Sequence, residues 1–406
     1  VRTNARSARV LIYSHDTFGL GHLRRCRRIA QSLVARRKGL SVLILSGSPL
    51  IGSFEFRARV DFVRVPGVIK LRNGEYSSLS LHMNISEVME MRASIIRHTA
   101  EVFSPDIFIV DKEPLGLRGE IQDTLVMLRD RGTRLVLGLR DVMDDPDLLA
   151  VEWERKNPMP ALRDLYDEIL IYGLPQMCNP LAGIDLPESV QRKITYTGYL
   201  RSTPPRATPH ESWEDGIKEP FILVTTGGGG DGEQLIDTVI SAYENDADIP
   251  YPALLVLGPF MHPKRRRSFR RRVAKLDQMQ AITFDTHLER LMERAAGVVA
   301  MGGYNTFCEI LSFNNRALIV PRTKPRMEQY VRTARAAELG LVRMLGKGEH
   351  NSPETMAIAL RNLPNQPLPS DVVVPGLLEG LDNIHRLVDR WLDDEKSPRV
   401  ALASRA

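Results

Sequence analysis

The chain has 406 residues, 43% of them hydrophobic, and a formal charge of +5 from 55 basic and 50 acidic residues. That length suits two domains, each large enough to bury its own core, and so small a charge excess gives no case for a general polyanion binder. The three cysteines, Cys26, Cys178 and Cys308, are too few and too scattered for a disulfide framework or a zinc site.

Strand-like Val/Ile/Leu runs occupy residues 9–14, 41–46, 61–65, 106–110, 134–139 and 168–172. Continuous apolar runs of this kind are expected of strands buried on both faces of a parallel sheet. Helical periodicity falls between them, at 21–37, 87–103 and 117–131, and the alternation predicts an α/β doubly wound domain. The pattern then repeats, with strands at 221–225, 253–257, 281–284, 298–301 and 317–320 and helices at 233–244, 264–276, 288–294, 306–312 and 328–339. Residues 202–219 contain Pro204, Pro205 and Pro209, which interrupt both helix and central strand, and so form a linker. A last helix at 381–391 places Leu381, Ile384, Leu387, Val388 and Trp391 on one face and is expected to pack on a domain surface. The expected organisation is an N-terminal domain over 1–201, the linker over 202–219, a C-terminal domain over 220–380, and a helix and tail over 381–406.

Two basic runs lack any acid. One spans Arg24, Arg25, Arg27, Arg28, Arg36, Arg37 and Lys38; the other runs from Lys264 to Lys275. Solvated helix faces account for both, and contact with an anionic membrane or substrate is the functional alternative. The second run holds a single aromatic, Phe269, too little aromatic interleaving for nucleic acid to be expected as a partner. No window approaches the ~18 uninterrupted apolar residues of a membrane span, and no apolar signal core precedes Val10. A cytoplasmic location is expected, with peripheral membrane contact left to the basic runs.

Four loops carry the chemistry. The first, His15-Asp16-Thr17-Phe18-Gly19-Leu20-Gly21-His22, follows a strand and opens a helix, at the sheet edge where open α/β folds bind ligands. Gly19 and Gly21 permit close backbone approach. A helix N-terminus disfavours the imidazolium form of His22, which suits it to act as a base; Asp16 is the other catalytic candidate. The second, Thr225-Thr226-Gly227-Gly228-Gly229-Gly230-Asp231-Gly232, again joins a strand to a helix. Its glycines suit backbone N–H groups gathered around a diphosphate. The third, Met301-Gly302-Gly303-Tyr304-Asn305-Thr306-Phe307-Cys308-Glu309, has the same setting: Asn305 or Thr306 is placed to cap the helix, and Glu309 to accept ribose hydroxyls. The fourth runs from Pro321 to Tyr330 and offers Arg322, Lys324 and Arg326 to phosphate and Glu328 and Gln329 to sugar hydroxyls. Asp111, Lys112 and Glu113 follow another strand at the ligand edge, on the acceptor side, where a role in the site and structural pairing are both open to them. No GxGxxG with its ribose-binding acid is present, which disfavours an NAD-dependent oxidoreductase.

In order and spacing these segments resemble the GT-B nucleotide-sugar transferases of the peptidoglycan type, which move GlcNAc from UDP-GlcNAc to a lipid-linked acceptor. The resemblance rests on Gly21-His22, Gly227–Gly230, the Gly-x-x-Thr-x-x-Glu run ending at Glu309, and Pro321 with Glu328-Gln329. It implies two Rossmann-like domains facing across a cleft and a UDP-type sugar donor in the C-terminal domain. It also implies that Gly227–Gly230 and Gly303, Tyr304, Asn305 and Thr306 hold the diphosphate, Glu309 the ribose, Phe284, Asp285, Thr286 and Leu288 the base, and Arg326, Glu328 and Gln329 the sugar. No metal or other cofactor is implied, and the transfer inverts, with His22 as base. The run Gly19-Leu20-Gly21-His22-Leu23-Arg24-Arg25 also resembles nucleotide-sugar hydrolases of nonulosonic-acid synthesis, in which the acceptor is water. A non-catalytic sugar-nucleotide sensor is the alternative of another class. The acceptor itself is not legible.

Overall fold

The computed structural model describes residues 7–16, 20–71, 75–204, 216, 219–285, 287–346 and 352–394. In chain order the N-terminal domain contains β1 (Ala8–Ser14), α1 (Gly21–Arg36), β2 (Leu40–Ser46), β3 (Val60–Arg64), β4 (Val68–Lys70), β5 (Tyr76–Ser78), α2 (Ile85–Phe103) and β6 (Ile107–Asp111). It continues through α3 (Gln122–Asp130), β7 (Arg134–Arg140), α4 (Pro146–Lys156), α5 (Met159–Asp164), β8 (Glu168–Tyr172), α6 (Glu188–Gln191) and β9 (Ile194–Tyr196). Its parallel sheet has the order β3-β2-β1-β6-β7-β8-β9. The strand order reverses between β1 and β6, so the crevice for a ligand lies beyond their carboxyl ends. Alternate β1 residues are buried against opposite layers: Val10 and Ile12 join the side of α1, Leu11 and Tyr13 the other side. This is why the strand reads as one apolar run.

The C-terminal domain contains β10 (Ile222–Thr225), α7 (Glu233–Asn245), β11 (Ala253–Val256), α8 (Pro263–Val273), β12 (Met279–Ile282), α9 (Leu288–Arg294), β13 (Gly297–Ala300), α10 (Tyr304–Ser312), β14 (Ala317–Ile319), α11 (Glu328–Glu338), β15 (Arg343–Met344) and α12 (Pro353–Asn362). Its sheet order is β12-β11-β10-β13-β14-β15. The reversal here falls between β10 and β13, where the two glycine-rich loops emerge. A final helix, α13 (Gly380–Asp394), leaves the C-terminal domain and packs on α1. Ile384, Leu387, Val388 and Trp391 share a buried cluster with Cys26, Ile29 and Leu33. Ser32 and His385 (2.8 Å) and Arg37 and Asp389 (2.8 Å) flank that seam. The expected surface for the last helix is therefore that of the N-terminal domain, so the chain crosses between the domains twice.

Three expectations change. The helix expected over 117–131 is broken: Gly116, Arg118 and Gly119 all have positive φ, and α3 begins only at Gln122. The helix α4, not anticipated, is capped by the Asp145 side chain with Pro146 in its first turn, and buries only Leu149 and Trp153. So sparse an apolar face leaves little periodicity to read. Most consequentially, the first basic run is not a solvated face. Arg25 is buried, and Arg24 and Arg28 turn into the domain interface. Of the expected linker, residues 205–215, 217 and 218 lie outside the described residues.

Candidate active site

His22 is in the first turn of α1, where the helix points its N-terminus into the cleft. Its Nδ1 is hydrogen-bonded to Asp111 Oδ2. Asp111 is the last residue of β6, the strand paired with β1, so the sheet itself sets the two side chains side by side. Arg25, one turn along α1, closes on the same carboxylate: Nε donates to Oδ1 at 2.8 Å and Nη2 to Oδ1 at 2.6 Å and Oδ2 at 2.8 Å. Burial would raise the Asp111 pKa, but Arg25 and His22 outweigh it and hold the carboxyl well below the usual carboxylate range. An ionised carboxylate only accepts, so Nδ1 carries the proton. The 3.1 Å approach of Arg25 Nη2 to Nδ1 is then a contact rather than a hydrogen bond. Burial lowers the His22 pKa below its ordinary 6.5, partly offset by Asp111. The ring is neutral at pH 7, with Nε2 left as the free proton acceptor on a side chain that lines the cleft.

Asp16, the other catalytic candidate, does a different job. Its Oδ1 accepts from Leu23 N (3.2 Å) and its Oδ2 from Ser46 Oγ (2.5 Å). It fastens the loop after β1 to α1 and β2, and does not line the cleft. The orienting carboxylate for His22 is Asp111.

Across the cleft stand the loops of the C-terminal domain. Gly227, Gly228 and Gly230 line it. Gly229, expected to hold phosphate, is instead packed against the loop after β11: its φ is +82°, and a Cβ there would lie 2.3 Å from Leu257 O. Gly303, Tyr304, Asn305 and Thr306 all line the cleft at the start of α10. Neither Asn305 nor Thr306 caps that helix; the Asn305 side chain instead reaches across to Gly21 O at 2.9 Å. The helices α7 and α10 open on the cleft without a side-chain cap, whereas at the start of α11 the Met327 N–H donates to Asp144 Oδ1 at 2.9 Å. The first-turn N–H groups and dipoles of α7 and α10 favour an anion between them.

Glu328 and Gln329 also line the cleft. Arg140 reaches Glu328 at 2.5 Å and Arg322 at 3.3 Å. Burial would raise the Glu328 pKa, but Arg140, Arg332 and Arg322 hold it low. Gln329 Oε1 accepts from Arg322 N at 3.1 Å. Arg326 lines the cleft but is engaged across the interface with Asp144 (3.2 Å) and Glu152 (2.8 Å). Phe284, Asp285 and Leu288, the expected base-binding residues, are at the other end, where Phe284 meets Phe54 edge-on. Thr286, the fourth, and Gly19 lie outside the described residues.

Two expected contacts are displaced. Glu309 is fully buried and does not line the cleft. It is clamped by Arg24 at 2.6 Å and Arg28 at 2.8 Å, both from α1 of the other domain. Glu113 also lies off the cleft and pairs with Lys156 (2.7 Å) and Lys112 (3.5 Å). Lys112 and Gly21 do line it. Lys112 sits at φ +71°, a conformation costly for a side-chain-bearing residue and common at functional sites. Burial pulls its pKa down to about 8.

The cleft encloses about 370 Å³, the size of a small-molecule site. The domains are held around it by Asp141 and Arg332, both fully buried and joined by two hydrogen bonds of 2.7 and 2.6 Å.

The architecture has many solved counterparts. A UDP-glucosyltransferase from Polygonum tinctorium superposes with a TM-score of 0.62 at 13% identity, over 96% of this chain and 100% of that one. CalG4, the calicheamicin glycosyltransferase, gives 0.59 at 15% identity over 98% and 100%. MurG of Acinetobacter baumannii gives 0.57 at 11% identity over 94% and 99%. The chain has the GT-B fold. Residues 221–369 match the family described as the glycosyltransferase family 28 C-terminal domain, so the C-terminal half of this GT-B protein is a glycosyltransferase domain. No curated protein matches the chain.

The basis of the Asp111–Arg25–His22 arrangement was only partly legible. That Asp111 ends a strand at the ligand edge is visible in the sequence. That β6 pairs with β1, and that Arg25 is buried, is not.

Proposed function

We propose that the protein is a metal-independent, inverting glycosyltransferase that moves a sugar, a hexose or N-acetylhexosamine, from a UDP-type donor to an acceptor hydroxyl. The observation that carries this reading is His22, oriented by Asp111, facing the uncapped N-termini of α7 and α10 across one cleft. Nε2 takes the proton of the acceptor hydroxyl as its oxygen attacks the anomeric carbon. The bond to the leaving diphosphate breaks on the opposite face, which inverts the centre. Loop amides at Gly227, Gly228 and Gly230 and at Gly303–Thr306, with Arg322, offset the charge that develops on the diphosphate. Glu328 and Gln329 are placed for sugar hydroxyls, and Phe284, Asp285 and Leu288 for the base.

The acceptor binds on the N-terminal face, where Lys112 lines the cleft, and a cell-envelope glycan or glycolipid is the class of acceptor we favour. A water molecule in the same place would make the enzyme a hydrolase. A panel of UDP-, GDP- and dTDP-sugars, incubated with and without candidate acceptors, separates the two. Nucleotide release that requires the acceptor supports transfer; stoichiometric free sugar without acceptor supports hydrolysis. Binding of donors with no release under any condition would point to a sensor.

A further inference from the structure

A second cavity, of about 200 Å³, lies behind the cleft where α1, the segment after β2, the domain connection and α13 converge. Five guanidinium groups line it, from Arg24, Arg27, Arg28, Arg57 and Arg201, against a single lining carboxylate among the described residues, Glu289. On α1 the spacing 24, 27, 28 brings three of them to one face. The phosphate-binding machinery described above uses none of the five.

We infer that this cavity is a binding site for a small phosphate-bearing anion, distinct from the donor's diphosphate site. The first argument is charge. Arg24 and Arg28 share Glu309, at 2.6 and 2.8 Å, with Glu289 at 3.4 and 4.0 Å. Arg27 makes no ion pair; its guanidinium lies over the Phe54 ring, 4.9 Å from the centroid. Arg57 and Arg201 are exposed and pair with no carboxylate among the described residues. Among the described residues, five cations thus face two carboxylates, Glu289 and Glu309, with Glu55 acting on Arg27 alone. Such an excess, walled by two domains, concentrates anions, and guanidinium forks match phosphate oxygens in pairs.

The second argument is size. The cavity falls below the ~300 Å³ at which sites for drug-sized ligands begin, which suits a phosphate or diphosphate group and not a whole nucleotide sugar. The third is the wiring. Glu309 Oε2 is buried without a hydrogen-bond partner, so the clamp on this carboxylate is incomplete. An anion in the cavity competes with Glu309 for Arg24 and Arg28. Arg24 also lines the main cleft, which couples the two cavities through one side chain.

The test is a calorimetric titration of pyrophosphate, and separately of inorganic phosphate, into protein already saturated with UDP. One further site is expected while UDP stays bound. The double variant Arg57→Ala/Arg201→Ala should weaken pyrophosphate by about tenfold or more, since each lost contact is charge-assisted, and leave UDP affinity unchanged. Glu309→Gln should strengthen it by releasing Arg24 and Arg28. Co-sedimentation with phosphatidylglycerol vesicles, lost in the double variant, would assign a lipid headgroup as the source; its absence beside pyrophosphate binding assigns a free anion. Pyrophosphate that UDP fully displaces, or that binds the double variant as it binds wild type, overturns the inference. The UDP titration is scored by itself, so failure of the donor reading and failure of this one are told apart.

Discussion

Replacing Asp111 by Asn removes one charge and changes one proton. In the native site Arg25 makes two of its three hydrogen bonds to Oδ1 and one to Oδ2, while His22 faces Oδ2. Arg25 therefore claims the carbonyl of the new amide and turns its NH2 towards His22. Nδ1 must then accept, the ring proton moves to Nε2, and the nitrogen that should take the acceptor's proton is already protonated. Loss of a general base costs about 10²–10⁴ in turnover, and a mis-set tautomer falls towards the upper end of that range. The variant also leaves Arg25 buried beside a neutral group. Breaking a buried pair costs about 3–5 kcal/mol, below or near the lower end of the ~5–15 kcal/mol of a folded protein's stability, and circular dichroism will show whether the variant stays folded. The assay is acceptor-dependent nucleotide release, paired with calorimetry of UDP, whose affinity should be unchanged because Asp111 does not itself line the cleft. A folded Asp111→Asn protein that turns over within about threefold of wild type would refute the general-base assignment.

Wild-type kcat/KM should fall as pH falls through the His22 pKa, which burial places below 6.5, because protonation of Nε2 removes the base. A second limb is expected near pH 8: the Lys112 ammonium, pulled down to about 8, loses its charge as pH rises, and Lys112→Gln should abolish that limb. Asp141→Asn leaves Arg332 buried and unpaired between the domains and should lower stability by about 3–5 kcal/mol, read as a drop in Tm. Gly229→Ala meets both a φ of +82° and the Leu257 carbonyl 2.3 Å away. It should destabilise the C-terminal domain by about 1–3 kcal/mol and weaken UDP binding, although Gly229 does not line the cleft.

The parallel sheets were legible because their strands are buried on both faces, and unbroken runs such as Val10–Tyr13 leave no other reading. The glycine-rich loops that line the cleft were legible because glycine clusters between strand and helix fall at the ligand edge of an α/β sheet. The short edge strands β9 and β15 were not, since three and two residues carry no periodicity. Charge was the least legible property. Arg24, Arg25 and Arg28 look alike in sequence, yet one orients the Asp111 carboxylate and two bury Glu309. Which cation meets which carboxylate depends on strand order and domain packing, neither of which local sequence encodes. For the same reason Glu309 was expected at the ribose and is found in the interface, and Asp16 was expected beside His22 where Asp111 stands.

The central claim is that the donor is held by the C-terminal loops while His22 acts on the acceptor from the other side. His22→Ala separates those roles in one experiment that measures UDP binding by calorimetry and transfer in a single turnover with saturating donor. The account predicts wild-type UDP affinity with transfer slowed by about 10²-fold or more. Undiminished transfer, or no UDP binding by the wild-type protein, would contradict it.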